Sequence, residues 1–574
     1  MKFFSPLVLG LCLSVSTLCF APQNIWAQSS EGVTVEPETY DALYSRAINH
    51  AENAPLVSIS PESGNLIYGP YANRGEPNDA FHIVPDFSYA GYKDGGVALP
   101  TEASIPVRLT LEPDGEPDDY ARIQAAIDKL STMPADSRGI RGALLLKAGE
   151  WQVSTPLELS ASGVIIRGEG QGEDGTVILA TSKDEKDTLL YVRGEGEGRH
   201  APEASSAHVK RIVQDFVPVG SNSVAIESTV GYKVGDKIGI TRTPNNIWVG
   251  ANGVNTSAFG WTASRYKVVH ERTVLEIRGK TLVFDIPITD ALDSRFGGGE
   301  VYRLDTSGRL QQTGIENLRI DTRRYFDVKR QDRAFYGMRY KYVENSWVRN
   351  VTLRSFSHGF SFEDGTRAIT AQDVAHLDPN FEVKGGNHYA FIVQKGSQIL
   401  FQRCYASKSR HALITGSTVP GPNVYLDCLA RKSESDSGPH HRWATATLYD
   451  NVKDKLWRSQ NRASVGTGHG WAGAQQMLWN SDLFEIVLQA PPFAMNYAVG
   501  NKGKIIKGNY APSEPNGLFE NHGRFVDTRS LYLKQLEERL GSNAVDAVTH
   551  PAQRDGEIWG MLKDWKGEAA FPER

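Results

Sequence analysis

Phe401-Gln402-Arg403-Cys404-Tyr405-Ala406 is answered 24 residues later by Tyr425-Leu426-Asp427-Cys428-Leu429-Ala430. Aligning apolar and Asn/Asp positions in the same way extends the series upstream to Ile315-Glu316-Asn317-Leu318, Val348-Arg349-Asn350-Val351 and Ala371-Gln372-Asp373-Val374. Downstream it reaches Leu478-Trp479-Asn480-Ser481. The steps are 33, 23, 30, 24 and 53, the last spanning two repeats. Constant strand cores joined by variable connections are the pattern of a solenoid, in which each repeat buries its apolar face only against its neighbours. The Asn and Asp positions are expected at coil corners, where such side chains accept local backbone bonds. The spacing predicts an all-β chain built as a parallel β-helix, with its main coils over 301–515.

Upstream, Asp118-Asp119 leads into Tyr120-Ala-Arg-Ile123-Gln-Ala-Ala126-Ile127-Asp-Lys-Leu130. Ile123, Ala126, Ile127 and Leu130 share one helical face behind an acidic N-terminal end. Short apolar strands with Gly turns follow, at 142–146, 151–153, 157–159, 164–166 and 176–178. Gly168-Glu-Gly170-Gln-Gly172 has the wrong spacing for a phosphate loop and precedes a strand, so it is read as a tight turn. This stretch of about 70 residues resembles the opening of the pectate-lyase-like superfamily, in its rhamnogalacturonase/epimerase-like branch. There an Asp-Asp–x₃–Ile-Gln-x-Ala-Ile helix caps the first coils. The resemblance implies a right-handed parallel β-helix and a secreted protein that acts on polysaccharide.

The expected organisation is a signal peptide at 1–27, an irregular leader at 28–104 and capped N-terminal coils at 105–204. A β-rich insertion at 205–300, the main coils at 301–515 and a helical tail at 516–574 complete it. The signal peptide is read from Lys2, the apolar run Phe3–Phe20 and a small residue at Ala27. A helix is expected within Asp41–Ala51. In the insertion, 217–221, 234–240 and 281–284 read as antiparallel strands with tight turns. Thr528–Gly541 is an amphipathic helix expected to lie along the wall or over the open end.

No segment after the signal is long and apolar enough to span a bilayer, so no membrane partner is expected once it is cleaved. Cys404 and Cys428 are the only cysteines left after position 27. One coil apart, they are either a disulfide or two buried thiols. The net charge is −5, yet residues 384–470 carry 12 Lys+Arg against 5 Asp+Glu, a local balance of +7. A basic window in an acidic protein predicts an anionic partner. With no nucleic-acid motif in an exported chain, the expected partner is an acidic polysaccharide. Nothing in the sequence speaks to oligomeric state.

His358, His388, His411, His440 (doubled by His441) and His469 recur at gaps of 30, 23, 29 and 29, about one per coil. They are expected on one face, amid Arg and in Gly-, Pro- and Ser-rich loops. A polysaccharide lyase must neutralise a uronate carboxylate, remove the C5 proton and protonate the departing oxygen. Arg410 and Arg442 are the candidate carboxylate binders, because the guanidinium fork matches that group. His411 and His441 are the preferred proton-transfer pair, with Lys408, His440 and His469 in reserve. Trp443, Trp471, Trp248, Arg462 and Asn451 are candidate substrate contacts, the indoles by stacking on sugar rings.

A hydrolase on the same scaffold would need two carboxylates, for which Asp436 and Asp450 are the candidates. A non-catalytic carbohydrate-binding or adhesion β-helix is the third reading. Gly468-His469-Gly470 is similar to the Gly-His-Gly of polygalacturonases, a three-residue match without their other motifs. Calcium assistance is common in the family resembled. It calls for clustered carboxylates, and the candidate loops have no compact Asp-rich cluster, so the expected chemistry uses no cofactor.

Overall fold

All six corner positions of the repeat have left-handed backbone: Asn317 (φ 53°), Asn350 (51°), Asp373 (55°), Arg403 (50°), Asp427 (53°) and Asn480 (42°). Asn and Asp tolerate this region better than other non-glycine residues. A seventh, Asn451 (φ 54°), fills the double step between Asp427 and Asn480. The first five corners each bend one long strand, while Asn451 and Asn480 lie between two shorter strands. Val343–Arg354, Arg367–Leu377, Ser397–Ser407 and Asn423–Arg431 pair in parallel through their corners. Corner side chains also bond one another along the axis: Asn350 Nδ2 donates to Asn317 Oδ1 (2.9 Å), and Arg403 forks onto Asp373 (2.7 and 2.8 Å).

The computed structural model describes residues 55–69, 71, 82–184, 186–196, 209–254 and 260–572. The expected signal peptide and the helix expected within Asp41–Ala51 lie outside them. The coils form two walls. One is an 18-stranded sheet that contains the bent strands. The other is a seven-stranded parallel sheet of Leu157–Leu159, Thr188–Arg193, Tyr336–Lys341, His358–Phe362, Tyr389–Val393, His411–Thr415 and Gly438–Pro439, stacked in chain order. Strand-to-strand crossovers within a parallel sheet are right-handed, and the chain is a right-handed parallel β-helix.

The interior is a column of rings. Phe360 stacks on Phe391 (5.7 Å between centroids), Phe401 on Tyr425 (5.3 Å) and Tyr425 on Tyr449 (5.2 Å). Phe401 also meets Phe362 and Phe391 (5.3 and 5.4 Å), so Phe401→Ala removes the ring that joins two stacks. Its expected cost is about 3–5 kcal/mol, read as a loss of urea midpoint with an unchanged slope. Cys404 and Cys428 pair in register on adjacent coils, both buried and both free thiols.

Helix Tyr120–Ser131 buries Ile123, Ala126, Ile127 and Leu130 on the first coils. The two aspartates in front of it anchor it. Asp119 accepts from Gln152 N (2.9 Å), and Asp118 from the amides of Tyr120 and Ser154 (both 3.1 Å). Helix Leu531–Leu540 lies on the large sheet and buries Leu531, Tyr532, Leu533 and Leu536 there. Between the coils, Lys210–Arg303 carries a six-stranded sheet whose pairings are antiparallel. A buried ion network ties it to the solenoid: Arg309 forks onto Glu271 (2.8 and 2.9 Å) and also reaches Glu344 (2.9 Å).

Candidate functional site

The first residues of the seven-stranded sheet's strands fall in register: Tyr336↔His358↔Tyr389↔His411. Their rings form a continuous ladder with centroid spacings of 4.8, 4.8 and 5.0 Å. His440 extends it from His411 at 4.6 Å, and His441 and His469 close it at 5.3 and 5.2 Å from His440. His388 is not a member. It precedes the strand by one residue, with left-handed backbone (φ 64°), and its ring bonds the Phe381 carbonyl (2.9 Å) and Glu434 (3.2 Å). Tyr389 holds the rung, and a search for repeated histidines passes over it.

At the downstream end of the ladder lies a groove of about 410 Å³. Its walls include Tyr389, Arg410, His440, His441, Arg462, His469 and Tyr510. None of the described residues that line it is an Asp or Glu. Several polar atoms here are buried without a partner among the described residues: Arg410 Nη1, Arg462 Nε, His441 Nδ1 and His469 Nδ1. Buried donors and acceptors are seldom left unsatisfied without a reason. No group of three or more His, Cys, Asp or Glu among the described residues is placed to hold a metal ion.

Burial holds the imidazoles neutral. It lowers His441 to about 3, and burial with the nearby Arg462 and Arg442 lowers His469 to about 4. His440 is held well below its ordinary value by burial and then by Arg462. Arg462 Nη1 approaches His440 Nδ1 at 3.0 Å. A guanidinium can only donate, so Nδ1 carries the lone pair and the proton sits on Nε2. That Nε2 faces the Tyr389 hydroxyl at 3.4 Å. Burial raises the Tyr389 phenol, against the opposing effect of Arg410 and Arg462, so it keeps its proton at neutral pH.

Several expected site residues are placed elsewhere. His411 is 1% exposed and lies behind the groove, with Nδ1 against the Asp436 carbonyl (2.7 Å). Arg442 is not part of the groove lining, and its guanidinium bonds the carbonyls of Thr467 and Gly468. Lys408 sits on an outer corner, paired to Asp378 (2.8 Å).

Trp248, Trp443 and Trp471 are 3%, 2% and 1% exposed, which rules out stacking on a sugar ring. They form an apolar cluster at the seam between insertion and coils. Asn451 is a coil corner beneath the tail, bonded to the Arg529 carbonyl (2.8 Å).

Asp436 and Asp450 do not make a catalytic pair. Asp436 is buried beside His411 (3.5 Å) and Arg458 (3.6 Å). Asp450 is fully buried on the large sheet, where it accepts from Ser530 Oγ (2.7 Å) and Tyr532 N (2.9 Å) and caps the tail helix. The Gly-His-Gly similarity has a conformational origin: Gly466, Gly468 and Gly470 all have left-handed φ around His469. A Cβ on Gly466 would meet the His469 ring at 2.4 Å.

No helix among the described residues is long and apolar enough to cross a membrane. No family model matches the chain, and no curated protein matches its sequence. Solved structures similar to it include the tailspike protein gp49 from Pseudomonas phage LKA1 (14% identity, 71% of this chain and 70% of that chain, TM-score 0.35). Another is the Gp54 tailspike of Acinetobacter baumannii bacteriophage AP22, in complex with A. baumannii capsular saccharide (11% identity, 71% and 67%, TM-score 0.36). A third is a polygalacturonase from Erwinia carotovora ssp. carotovora (11% identity, 74% and 97%, TM-score 0.29). By its own strand pairing the chain is a right-handed parallel β-helix, and its candidate site is the groove at the end of the ring ladder.

Proposed function

We propose that this chain is an exported polysaccharide lyase that cleaves a uronate-containing glycan by β-elimination. The observation that carries the reading is the lining of the groove: two arginines, three neutral histidines and two tyrosines, with no carboxylate among the described residues. Retaining and inverting glycosidases both need a carboxylate pair at the scissile bond. A lyase needs cations for the substrate carboxylate and neutral proton carriers.

Arg410 and Arg462 bracket the uronate carboxylate, which acidifies the C5 proton. His441 takes that proton on the free lone pair of its ring. The released electron pair forms the C4–C5 double bond as the C4–O bond breaks. Tyr389 gives its hydroxyl proton to the departing oxygen, and the phenolate left behind is stabilised by Arg410, Arg462 and the His440 Nε2–H.

The test is a panel of polyuronates and neutral glycans, followed at once for near-ultraviolet absorbance and for reducing ends. Polyuronates should give both signals together, because each elimination leaves an unsaturated uronate. Reducing ends without absorbance would replace the lyase with a hydrolase, and neither signal would leave a binding module. His441→Gln should lower kcat by about 10²–10⁴-fold and leave the melting temperature near that of the parent. Wild-type turnover by that variant would remove His441 from the mechanism.

A further inference from the structure

His469 lines the groove, yet no side chain bonds its Nδ1 among the described residues. What aims this ring is the backbone turn that carries it, Val465–Gly468 and the two residues after. Besides its bonds to the coils, the turn is held from the insertion. Trp261, from the insertion, donates its indole N–H to the Gly468 carbonyl at 2.9 Å. Its ring fills the space over Gly470, where an added Cβ would come within 2.6 Å of the indole. Tyr266 stacks on that indole at 4.1 Å, and Arg442 grips the Thr467 and Gly468 carbonyls.

The turn is pinned at its far end as well. Trp471, two residues beyond His469, donates its indole N–H to the Asn252 carbonyl (3.1 Å) in the insertion. Hydrogen bonds thus cross the seam in both directions on either side of His469. Glycines with left-handed φ at 466, 468 and 470 make this turn intrinsically free. Coil bonds such as Arg442 N to the His469 carbonyl (3.0 Å) and Gly470 N to the Ala463 carbonyl (2.9 Å) hold its backbone on one side, and the insertion holds it on the other.

We propose that the insertion acts as a template for the groove and that Trp261 is the positioning residue for His469. The indole N–H fixes the Gly468 peptide and the indole face fixes the Gly470 peptide, which orients the imidazole between them. Arg442 is recruited into the same clamp and serves the turn, not the substrate. From the proposed function this takes only that His469 faces the ligand.

The test uses the full chain carrying Trp261→Phe, which keeps the ring and removes the donor. Two controls accompany it: Trp248→Phe, in the same cluster but without a bond to the turn, and Gly470→Ala, which drives a methyl into the indole. The first readout is carbethoxylation of His469 by diethyl pyrocarbonate, followed by peptide mass spectrometry with the exposed His522 as internal standard. His469 labelling should rise several-fold in Trp261→Phe and Gly470→Ala and stay at the parental rate in Trp248→Phe. The second readout is turnover of a polyuronate, where kcat should fall on the order of 10–100-fold in Trp261→Phe with KM little changed.

Parental His469 labelling in Trp261→Phe overturns the proposal. So does an equal rise in Trp248→Phe, which would mean general loosening of the cluster. If the parent protein cleaves no polyuronate, the lyase reading fails, but the labelling series still decides the role of Trp261.

Discussion

Tyr389→Phe should lower kcat by about a thousandfold, within the range for removal of a positioned general acid, and leave KM within about threefold. The ring itself is retained, so its contacts with His358 (4.8 Å) and His411 (5.0 Å) persist and the fold should not suffer. Only the hydroxyl is lost. In the parent it faces Arg410 and the His440 Nε2–H, which stabilise the phenolate left after proton transfer. Initial rates of ultraviolet absorbance on a polyuronate read the effect directly. A substrate with a good leaving group should recover much of the lost rate, because it needs less protonation. If Tyr389→Phe keeps wild-type kcat, proton delivery belongs to another residue.

The second large effect is on stability against pH. His358 and His376 are lowered to about 3 and His411 to about 4, burial being the first cause in each. The ordinary value is 6.5, so as pH falls below it the unfolded chain binds protons that the folded chain refuses. Stability contributed by these neutral imidazoles is fully present above pH 6.5 and is lost progressively down to about pH 3. Three such groups give a slope on the order of 4 kcal/mol per pH unit before offsets.

Buried carboxylates work in the opposite direction. Burial raises Asp450 and Asp454 to about 6, so the folded state takes up their protons first and gains stability as pH drops. Burial also raises Glu520 to about 7 and raises Asp86, Asp290 and Glu514, so six carboxylates stand against seven lowered histidines, His82, His440, His441 and His469 being the other four. The melting temperature should therefore be level near neutrality and fall between pH 6 and 4 by less than the histidines alone would give. His358→Phe keeps an aromatic rung between Tyr336 and Tyr389 and should make that fall shallower by one proton. A melting temperature that is flat down to pH 4 would mean the ladder takes up protons in the folded state.

The solenoid was legible because its corners repeat a chemical requirement. Left-handed backbone selects Asn or Asp at five of the six corners, and apolar neighbours flank all of them, Arg403 included, so six corners could be aligned from sequence alone. Asn451 was missed as a seventh because Tyr449-Asp450-Asn451 offers two adjacent polar residues in a charged stretch, which looked like a ligand contact.

The site was legible in part. His440, His441, His469, Arg410 and Arg462 line one groove, as loops of successive coils at one end of one sheet allow. What misled was matching residue type instead of strand position: the rung between His358 and His411 is Tyr389, whereas His388 looks away. The remaining differences come from contacts across long stretches of chain. Nothing near Trp443 or Trp471 announces an insertion about 200 residues earlier that covers them. Nothing near Asp450 announces the Ser530 it caps.

The helix laid on the large sheet has a temporal consequence. It does not cover that wall alone. Residues Leu56, Leu66, Tyr71 and Phe87 share its cluster. Gln535 accepts from the Phe87 amide (2.9 Å), the Tyr532 hydroxyl donates to the Ala90 carbonyl (2.8 Å), and Arg539 reaches the carbonyls of Ser88 and Asp94 (2.8 and 2.7 Å). The two ends of the described chain therefore clasp each other some 450 residues apart. Coils can stack in order as they are synthesised, but this wall is fully covered only once residues 531–540 have joined the segment 56–94 on it. A chain clipped before this helix displays a broad apolar surface, so arrival of the helix, and not coil formation, closes the wall.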